Sequence, residues 1–216
     1  AARLIREAKR PVIMAGHGIR LSGAHAELKE LAEKAQIPVI TTLLGVSSIP
    51  ETHVLSVGMP GMHGVAYASI AIDRCDLLIS LGARFDDRVT GRISTFAPRA
   101  KIIHVDVDPS VIGQNVKTHL PIVGDLRQVL RALNQLVEPA THTEWLDEIE
   151  QLRREHPSLR IRQSDKLLQQ YVVKQLSEET KGQAIIVTGV GQHQMWAAQH
   201  YMFTEPNTLI TSGGLG

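Results

Sequence analysis

Short apolar runs alternate along the chain with stretches of helical character. The runs lie at residues 11–16, 37–41, 77–82 and 101–106, and residues 121–124 have the pattern of a short edge strand. Continuous apolar runs of this length are typical of parallel strands that are buried on both faces. Because helices connect such strands by right-handed crossovers, the pattern predicts a doubly wound α/β domain with a Rossmann-like parallel sheet.

Helices are expected on both faces of this sheet. Residues 24–35 and 65–73 have a helical pattern, and Ser22 is the predicted N-cap of the first of these helices. Asp125 is expected to cap a further helix whose apolar residues share one stripe, which predicts burial of that stripe. The stripe consists of Leu126, Val129, Leu130, Leu133 and Leu136.

The composition changes after residue 137, and we interpret residues 1–137 as one domain. Residues 138–165 begin with a polar break and continue as a charged helix, which predicts a linker with one helix crossing between domains. Residues 166–216 start a second α/β pattern that stops in a glycine-rich loop, so this domain is expected to be incomplete. Its predicted elements are a helix from about Lys166, a strand at residues 184–188, a helix from about His193 and a strand at residues 208–212.

Composition and charge exclude several classes of function. The formal net charge is +1 and only 4% of the residues are aromatic, so neither a nucleic acid nor a membrane surface is predicted as a partner. No apolar stretch approaches the roughly 20 residues that span a bilayer, and no targeting signal is recognisable. The single cysteine, Cys75, excludes an intrachain disulfide and is expected to be a structural thiol.

Glycines and charged residues follow the predicted strands. Since the carboxyl ends of parallel strands meet at one edge of a sheet, ligands of doubly wound domains bind there, and these loops are expected to line one groove. The loops are Gly16-His17-Gly18, Thr41 to Gly45, Gly58 to Gly64, Gly82 to Arg88, Asp106 to Pro109, and Gly124-Asp125.

The residue types in these loops suit a dinucleotide. Glycines allow close backbone approach, and backbone N–H groups at helix N-termini suit a pyrophosphate. Arg84 and Arg88 add positive charge, and Asp106 is able to accept hydrogen bonds from ribose hydroxyls. Two structural alternatives remain: Asp106 caps the turn before Pro109, and the arginines form a surface ion-pair cluster with Asp86 and its neighbour. No set of His, Cys and carboxylate residues has metal-ligand spacing, so no metal site is predicted in this chain.

Four segments carry a resemblance to a known family. The chain closely resembles the large catalytic subunit of acetolactate synthase (acetohydroxyacid synthase), and the likeness runs over essentially all 216 residues. That family uses thiamine diphosphate, Mg²⁺ and FAD. The segments are Gly58-Met-Pro-Gly-Met-His-Gly64, Gly82-Ala-Arg-Phe-Asp-Asp-Arg-Val-Thr-Gly91, Gly189-Val-Gly-Gln-His-Gln-Met-Trp-Ala-Ala198 and Ser212-Gly-Gly-Leu-Gly216.

The resemblance implies a domain map. Residues 1–137 are expected to be the central FAD-binding domain, and residues 166–216 the truncated start of the thiamine-diphosphate domain. The glutamate that activates the thiazolium and the Mg²⁺ ligands are expected outside this chain, so no catalytic residue is assigned here. The isolated 216 residues are therefore expected to have no carboligase activity.

The resemblance also implies which residues contact cofactors. Contacts to thiamine diphosphate are implied at Val190, Gly191, Gln192 and His193 and near Gly216, although Gln192 and His193 would also serve in helix capping after a glycine turn. Contacts to FAD are implied at Gly16, His17, Gly18, Thr42, Leu43, Met59, Gly61, Met62, His63, Gly82, Ala83, Arg84, Asp86, Arg88, Asp106, Val107, Gly124 and Asp125.

Three positions depart from the family pattern. Pro60 stands where a leucine is usual, His17 replaces a small residue, and Leu44 replaces a polar or sulfur-containing side chain. These departures would change the flavin pocket locally.

The activity implied for the full-length protein is decarboxylation of pyruvate and carboligation to a second 2-oxo acid, pyruvate or 2-oxobutyrate. The products would be acetolactate or acetohydroxybutyrate, in branched-chain amino-acid biosynthesis. FAD is expected to have a structural role. The family likeness further implies a homodimer or tetramer, with a regulatory small subunit in some members, located in the bacterial cytoplasm or in a plastid or mitochondrion.

Two other functions remain open at this point. The first is a different thiamine-diphosphate-dependent 2-oxo acid decarboxylase or carboligase, which would make acetaldehyde without acetolactate. The second is a non-catalytic dinucleotide-binding module that holds NAD or an acyl-CoA nucleotide and carries no flavin.

Overall fold

A computed structural model describes residues 1–214 of the chain, and Gly216 lies outside the described residues. The first part contains a six-stranded sheet in the order β3-β2-β1-β4-β5-β6, in which every neighbouring pair is parallel. The doubly wound α/β prediction is therefore confirmed. The strands are β1 (Pro11–Ala15), β2 (Val39–Thr41), β3 (Ser56–Gly58), β4 (Leu77–Leu81), β5 (Lys101–Asp106) and β6 (Leu120–Val123).

Helices cover the sheet on both faces, as the apolar strands require. In the first part they are α1 (Ala2–Glu7), α2 (His17–Ser22), α3 (His25–Ala35), α4 (Ala66–Arg74), α5 (Asp87–Thr90) and α6 (Leu126–Leu136). The remaining elements are α7 (Thr143–Glu155), α8 (Gln169–Glu179), β7 (Ile186–Thr188), α9 (Gln192–His200) and β8 (Leu209–Thr211).

The core is divided by the sheet into two layers. Ile13, Ile79 and Ile103 are paired neighbours on β1, β4 and β5, and they point into the layer beneath α3 and α6. The residues one position earlier, such as Val12 and Leu78, point into the opposite layer beneath α4 and α7. This alternation explains why the strands read as unbroken apolar runs, since both faces of each strand are buried.

Two predicted details of the helices are wrong. Ser22 does not cap α3; it is the last residue of α2, and its Oγ donates to the Gly18 carbonyl at 2.7 Å. Ala24 occupies the N-cap of α3 without a side-chain hydrogen bond. Leu136 is 69% exposed, because α6 ends there and its last turn passes the edge of the core. The predicted cap of α6 is confirmed: Asp125 accepts a hydrogen bond from the Gln128 N–H at 3.0 Å.

Helix α7, which the sequence analysis placed in a linker between domains, packs onto the first sheet. Trp145 is 2% exposed, and its Nε1–H donates to the Pro11 carbonyl at 3.0 Å. Ile149 and Leu152 join the same apolar layer as Val12. The helix thus completes the cover of β1 and β4.

The last part of the chain forms a small second unit. Strands β7 and β8 pair in parallel, and α8 and α9 pack against each other. A separate apolar cluster, comprising Tyr201, Phe203, Leu209 and Val46, joins this unit to the first. No helix among the described residues is long and apolar enough to cross a membrane.

Candidate functional site

Five residues that end or directly follow strands lie side by side at the carboxyl edge of the sheet. The backbone N–H of Gly82 donates to Val105, and that of Gly124 donates to Asp106. Continued by one residue, the strand register places Gly16 beside Thr42 and Gly82, and Gly82 beside Asp106, while Gly124 lies one residue beyond the partner of Asp106. We call these five residues the strand-end row; it consists of Thr42, Gly16, Gly82, Asp106 and Gly124.

The strand order reverses beside β1. The chain runs from β1 outward to β3, then returns to β4 on the other side of β1. Loops after β1 and β4 leave the sheet in opposite directions at such a point and open a crevice between them, which is where dinucleotides bind in this architecture. The Gly16 and Gly82 loops lie at this reversal of strand order.

The glycines of these two loops are required by their mutual packing. A Cβ on Gly16 would overlap the Gly82 carbonyl oxygen, and a Cβ on Gly82 would lie 2.5 Å from the Gly18 Cα. The N–H groups of Gly16, Gly18 and Gly82 all donate to backbone carbonyls. These three N–H groups are therefore used inside the protein and are not free to donate to a ligand.

Two backbone donors directly after Gly82 are not used by the described part of the protein. Within residues 1–214, the backbone N–H groups of Ala83 and Arg84 donate to no acceptor, although they directly follow the row residue Gly82. The Arg84 side chain is 73% exposed. Two adjacent amides and a guanidinium suit a pyrophosphate, so the residues present fit the dinucleotide that the sequence analysis expected.

The arginines also form the ion pairs that the alternative interpretation anticipated. Arg84 Nη2 lies 3.6 Å from Asp86, and Arg88 Nη1 lies 2.9 Å from Asp87. All four side chains are largely exposed, so these pairs contribute little stability and leave the arginines available. Asp86 also caps α5 by accepting the Arg88 N–H at 3.1 Å. That hydrogen bond, followed by smaller effects of nearby cations, lowers the pKa of Asp86.

The capping alternative for Asp106 is confirmed as well. Its Oδ1 accepts the Asp108 N–H at 3.0 Å and so stabilises the turn before Pro109. The second carboxylate oxygen leaves one acceptor for a ligand hydroxyl. Val107, which follows it, is 71% exposed.

The loops after β1 and β2 close one end of the row. Thr42 donates its N–H to the Ala15 carbonyl at 3.0 Å and begins a 3-10 turn that contains Leu43. His17 is the first residue of α2. Burial, and secondarily the positive charge of Arg20, lowers the pKa of His17 and favours a neutral ring beside the crevice.

The loop after β3 folds against α5. The Met62 N–H donates to the Arg88 carbonyl at 2.9 Å, and a Cβ on Gly61 would overlap that same carbonyl. Met59 is buried, whereas Met62 and His63 are exposed. The loop after β3 and the Gly82–Arg88 loop are therefore in contact.

The predicted thiamine-diphosphate residues surround the start of α9. Gly191 is the N-cap of this helix at φ 150°, Gln192 and His193 occupy its first turn, and Val190 is 45% exposed. Gly191 makes no side-chain cap, and the His193 ring lies close beside it. The predicted contact near Gly216 lies outside the described residues.

Gln194 is a site residue that the sequence analysis missed. It is 1% exposed, and its Nε2 donates to Thr211 Oγ1 at 2.7 Å and to the Gly213 carbonyl at 2.8 Å. It thereby fixes the glycine loop after β8 against the start of α9. Its place within the Gly-Gln-His-Gln-Met-Trp segment was the available signal, but nothing in the pattern marks it as buried.

The two groups of loops approach each other. Gly213 lies next to the Leu44 side chain, with 3.9 Å from a Cβ built on the glycine to the nearest Leu44 methyl carbon. Gln199 of α9 donates to the His63 carbonyl at 2.6 Å. The loops expected to hold the two cofactors are therefore in contact at Leu44 and His63.

Neither a group of metal ligands nor a cavity among the described residues indicates a different location for the candidate site. Residues 1–214 contain no group of three or more His, Cys, Asp or Glu residues placed to hold a metal ion. A cavity of about 870 Å³ lies between the connecting segment 159–168, α8 and the end of α9, and no residue of the strand-end row lines it. We place the candidate site at the strand-end row because the glycine loops, the free N–H groups, the arginines and Asp106 lie at or next to it. The cavity is an open groove.

Comparison with known proteins assigns the class. Residues 1–133 match the family model described as the thiamine pyrophosphate enzyme, central domain. The match covers more than half of the chain, and the chain therefore belongs to the thiamine pyrophosphate enzyme family.

Curated relatives narrow the likeness within this family. The chain is 48% identical to the acetolactate synthase large subunit of Corynebacterium glutamicum, over 100% of this chain and 36% of that protein. It is 47% identical to the chloroplastic acetolactate synthase 1 of Zea mays, over 99% and 34% respectively. An acetolactate synthase of Mycobacterium leprae is 44% identical, over 100% and 36%. The chain spans about a third of the length of these relatives.

Proposed function

We propose that this chain is part of an acetolactate synthase large subunit, in which it holds FAD and forms one wall of the thiamine-diphosphate site. The full-length protein would decarboxylate pyruvate and join the product to a second 2-oxo acid. Identity of 44–48% to three acetolactate synthases over the whole chain supports the reaction. The strand-end row at the reversal of strand order is the structural observation that carries the cofactor assignment.

In the proposed flavin site, the pyrophosphate lies against the free N–H groups of Ala83 and Arg84. The Arg84 and Arg88 guanidinium groups neutralise its charge, and the second oxygen of Asp106 accepts from a ribose hydroxyl. The remaining assigned residues would form the walls of the site, and the closely packed Gly16, Gly18 and Gly82 would form its floor. FAD bound only to the folded chain would also add to its stability.

In the proposed thiamine-diphosphate site, the first turn of α9 forms the wall. Val190 to His193 lie at its N-terminus, and Gln194 holds the glycine loop after β8 beside them. The bound thiamine diphosphate would supply the electron sink for decarboxylation. The residues of this chain would orient it and exclude water, whereas Mg²⁺ ligands are proposed to come from other parts of the protein.

The substrates and the assembly of the full-length protein are proposed from the likeness to acetolactate synthases. We propose small 2-oxo acids as substrates and a homo-oligomer as the working form. The Corynebacterium glutamicum relative is named a large subunit, which supports a regulatory small subunit as a further partner.

The reaction is tested with the full-length protein, thiamine diphosphate, Mg²⁺ and pyruvate. Acetolactate is the expected product. Acetaldehyde without acetolactate would assign the protein to another thiamine-diphosphate enzyme of the same architecture, and no turnover with tight NAD binding would favour a non-catalytic module.

The flavin site is tested separately through Arg84→Met. Hydrogen bonds to charged groups contribute about 1.5–3 kcal/mol, so we expect FAD affinity to fall roughly 10- to 100-fold. Arg92→Met is the matched control, because Arg92 is an exposed arginine outside the Gly82–Arg88 loop. Purified wild-type protein without the visible absorbance of flavin, and with no affinity for added FAD, would refute the site.

A further inference from the structure

The loop that carries the proposed pyrophosphate donors has an unusual backbone. Within residues 82–85, the first part of the Gly82–Arg88 loop, Gly82 has φ 65° and Phe85 has φ 53°, so two of these four residues lie in the left-handed region. For a non-glycine residue such as Phe85 this conformation costs about 1–2 kcal/mol. Surrounding groups must therefore hold the loop in place.

His104 of β5 holds the first half of the loop from below. Its Nε2 lies 2.9 Å from the Ala83 carbonyl oxygen. Because a carbonyl only accepts, Nε2 carries the proton and donates. His104 is fully buried, and its Nδ1 has no partner within residues 1–214, so the ring is neutral with Nδ1 unprotonated.

The Phe85 side chain is fixed by two rings. It is 3% exposed, and it meets the His104 ring edge-on at 4.9 Å between centroids and the Phe96 ring at 5.8 Å. Edge-to-face pairs of this kind contribute about 0.5–1.5 kcal/mol beyond area burial, which is comparable to the cost of the Phe85 backbone.

Asn115 holds the second half of the loop from the side. Its Nδ2 donates to the Arg84 carbonyl at 3.2 Å and to the Phe85 carbonyl at 3.1 Å. The N–H groups of Ala83 and Arg84 follow the carbonyls of Gly82 and Ala83, which accept from Gly18 and His104, and these two N–H groups have no acceptor among residues 1–214. We call His104, Phe85 and Asn115 the loop clamp.

We propose that His104 is a positioning residue for dinucleotide binding: through the loop clamp it preorganises the Ala83 and Arg84 donors for a pyrophosphate. The inference rests on the flavin site proposed above and deepens it. A buried imidazole with one unpartnered nitrogen costs stability, and an aliphatic side chain would fill the same core without that cost. The imidazole donates a hydrogen bond to the Ala83 carbonyl, which an aliphatic side chain cannot do.

The test uses full-length protein stripped of flavin, with FAD affinity measured by quenching of flavin fluorescence. His104→Leu removes the donor, and we expect FAD to bind about tenfold more weakly. This corresponds to the roughly 1.4 kcal/mol at the upper range of one hydrogen bond. His104→Gln keeps an N–H donor the same number of bonds from the backbone, and it should retain affinity within about twofold. Unchanged affinity in His104→Leu overturns the proposal.

A positioning role also predicts coupling to Arg84. If His104 acts through this loop, His104→Leu should cost less affinity in an Arg84→Met background than in the wild type. Ile103→Val is the control for general destabilisation, because Ile103 is the preceding β5 residue and faces the opposite layer. Additive losses, or an equal loss in Ile103→Val, contradict a specific role.

Hydrogen exchange separates failure of the clamp from failure of the flavin site. Without any ligand, the hydrogen-bonded amides of residues 88–91, which donate to Asp86 and Asp87 directly after the clamped residues, should exchange several-fold faster in His104→Leu than in the wild type, while those of β1 stay unchanged. If wild-type protein binds no FAD but this exchange difference is present, the flavin site is wrong and the clamp holds. If exchange is unchanged, the clamp is wrong whatever FAD does.

Discussion

Glycine is required at position 82 for two reasons, its backbone conformation and the lack of space for a side chain. Mutation can separate the two. Its φ of 65° favours glycine, and its neighbour Gly18 leaves no room for a Cβ. Gly23 has nearly the same φ, 63°, but a Cβ there would meet nothing within 4 Å. Gly23→Ala should therefore lose about 1 kcal/mol in urea unfolding, and Gly82→Ala at least about 3 kcal/mol. Equal losses would show that the close approach of the two loops is not important.

His104 predicts a specific loss of stability in acid. Burial lowers its pKa from 6.5, and the hydrogen bond to the Ala83 carbonyl opposes that shift only in part. The unfolded chain then binds the proton more readily than the folded chain, so stability that is complete above about pH 6.5 is lost as the pH falls.

The measurement compares urea midpoints of wild type and His104→Gln between pH 8 and pH 5. Burial also lowers the pKa values of His17, His142 and His200, but these residues are present in both proteins. The difference in slope therefore reports His104, and we expect the glutamine variant to fall less steeply. Parallel curves would mean that His104 does not titrate differently on folding.

The local sequence pattern was sufficient to predict some helices and strands and failed for others. The four long apolar runs predicted β1, β2, β4 and β5, because burial on both faces leaves a signal in every residue. Strand β3 was missed, since Ser56-Val57-Gly58 is too short and polar to stand out. Ser22 was misplaced because Gly23, in the left-handed conformation, ends α2 after it, and the serine hydroxyl bonds back to Gly18.

Helix α7 gives a prediction at the same scale. Trp145→Phe removes the donor to the buried Pro11 carbonyl, and we expect a loss of about 1–3 kcal/mol in urea unfolding. Trp196→Phe in α9 is the control, because Trp196 is only partly buried and its ring N–H has no acceptor among residues 1–214. If both variants unfold like the wild type, the hydrogen bond from Trp145 to the Pro11 carbonyl does not contribute to the stability of the fold.

For the molecule as a whole, the sequence predicted the location of the candidate site but not the individual groups that form it. The alternation of strands and helices is sufficient to bring Gly16, Gly82 and Asp106 to one edge, because parallel topology alone determines that edge. The free amides of Ala83 and Arg84 could not be predicted, since they depend on carbonyl partners from distant segments. Gln194 and His104 were missed for the same reason.

Glu51 joins the second unit to the first through two hydrogen bonds, in addition to the apolar contacts between the units. Glu51 donates its N–H to the Phe203 carbonyl at 2.9 Å, and its Oε2 accepts the Phe203 N–H at 2.9 Å. Burial raises the pKa of Glu51 from 4.5 to about 8, and the hydrogen bond from Phe203 opposes this rise. The folded chain thus holds a proton that the unfolded chain releases, so stability present below about pH 4.5 is lost as the pH rises towards 8.

Glu51→Gln tests this attachment, because the amide keeps an oxygen for the Phe203 N–H and never ionises. We expect amides of residues 201–209, after correction for intrinsic rates, to lose protection in the wild type between pH 5.5 and pH 8.5, but much less in Glu51→Gln. Amides of β1 serve as the internal control, since they lie in the core of the other unit. Equal protection in the two proteins at pH 8.5 would show that Glu51 is already ionised without cost, and that the contacts of Tyr201, Phe203 and Leu209 alone hold the second unit in place.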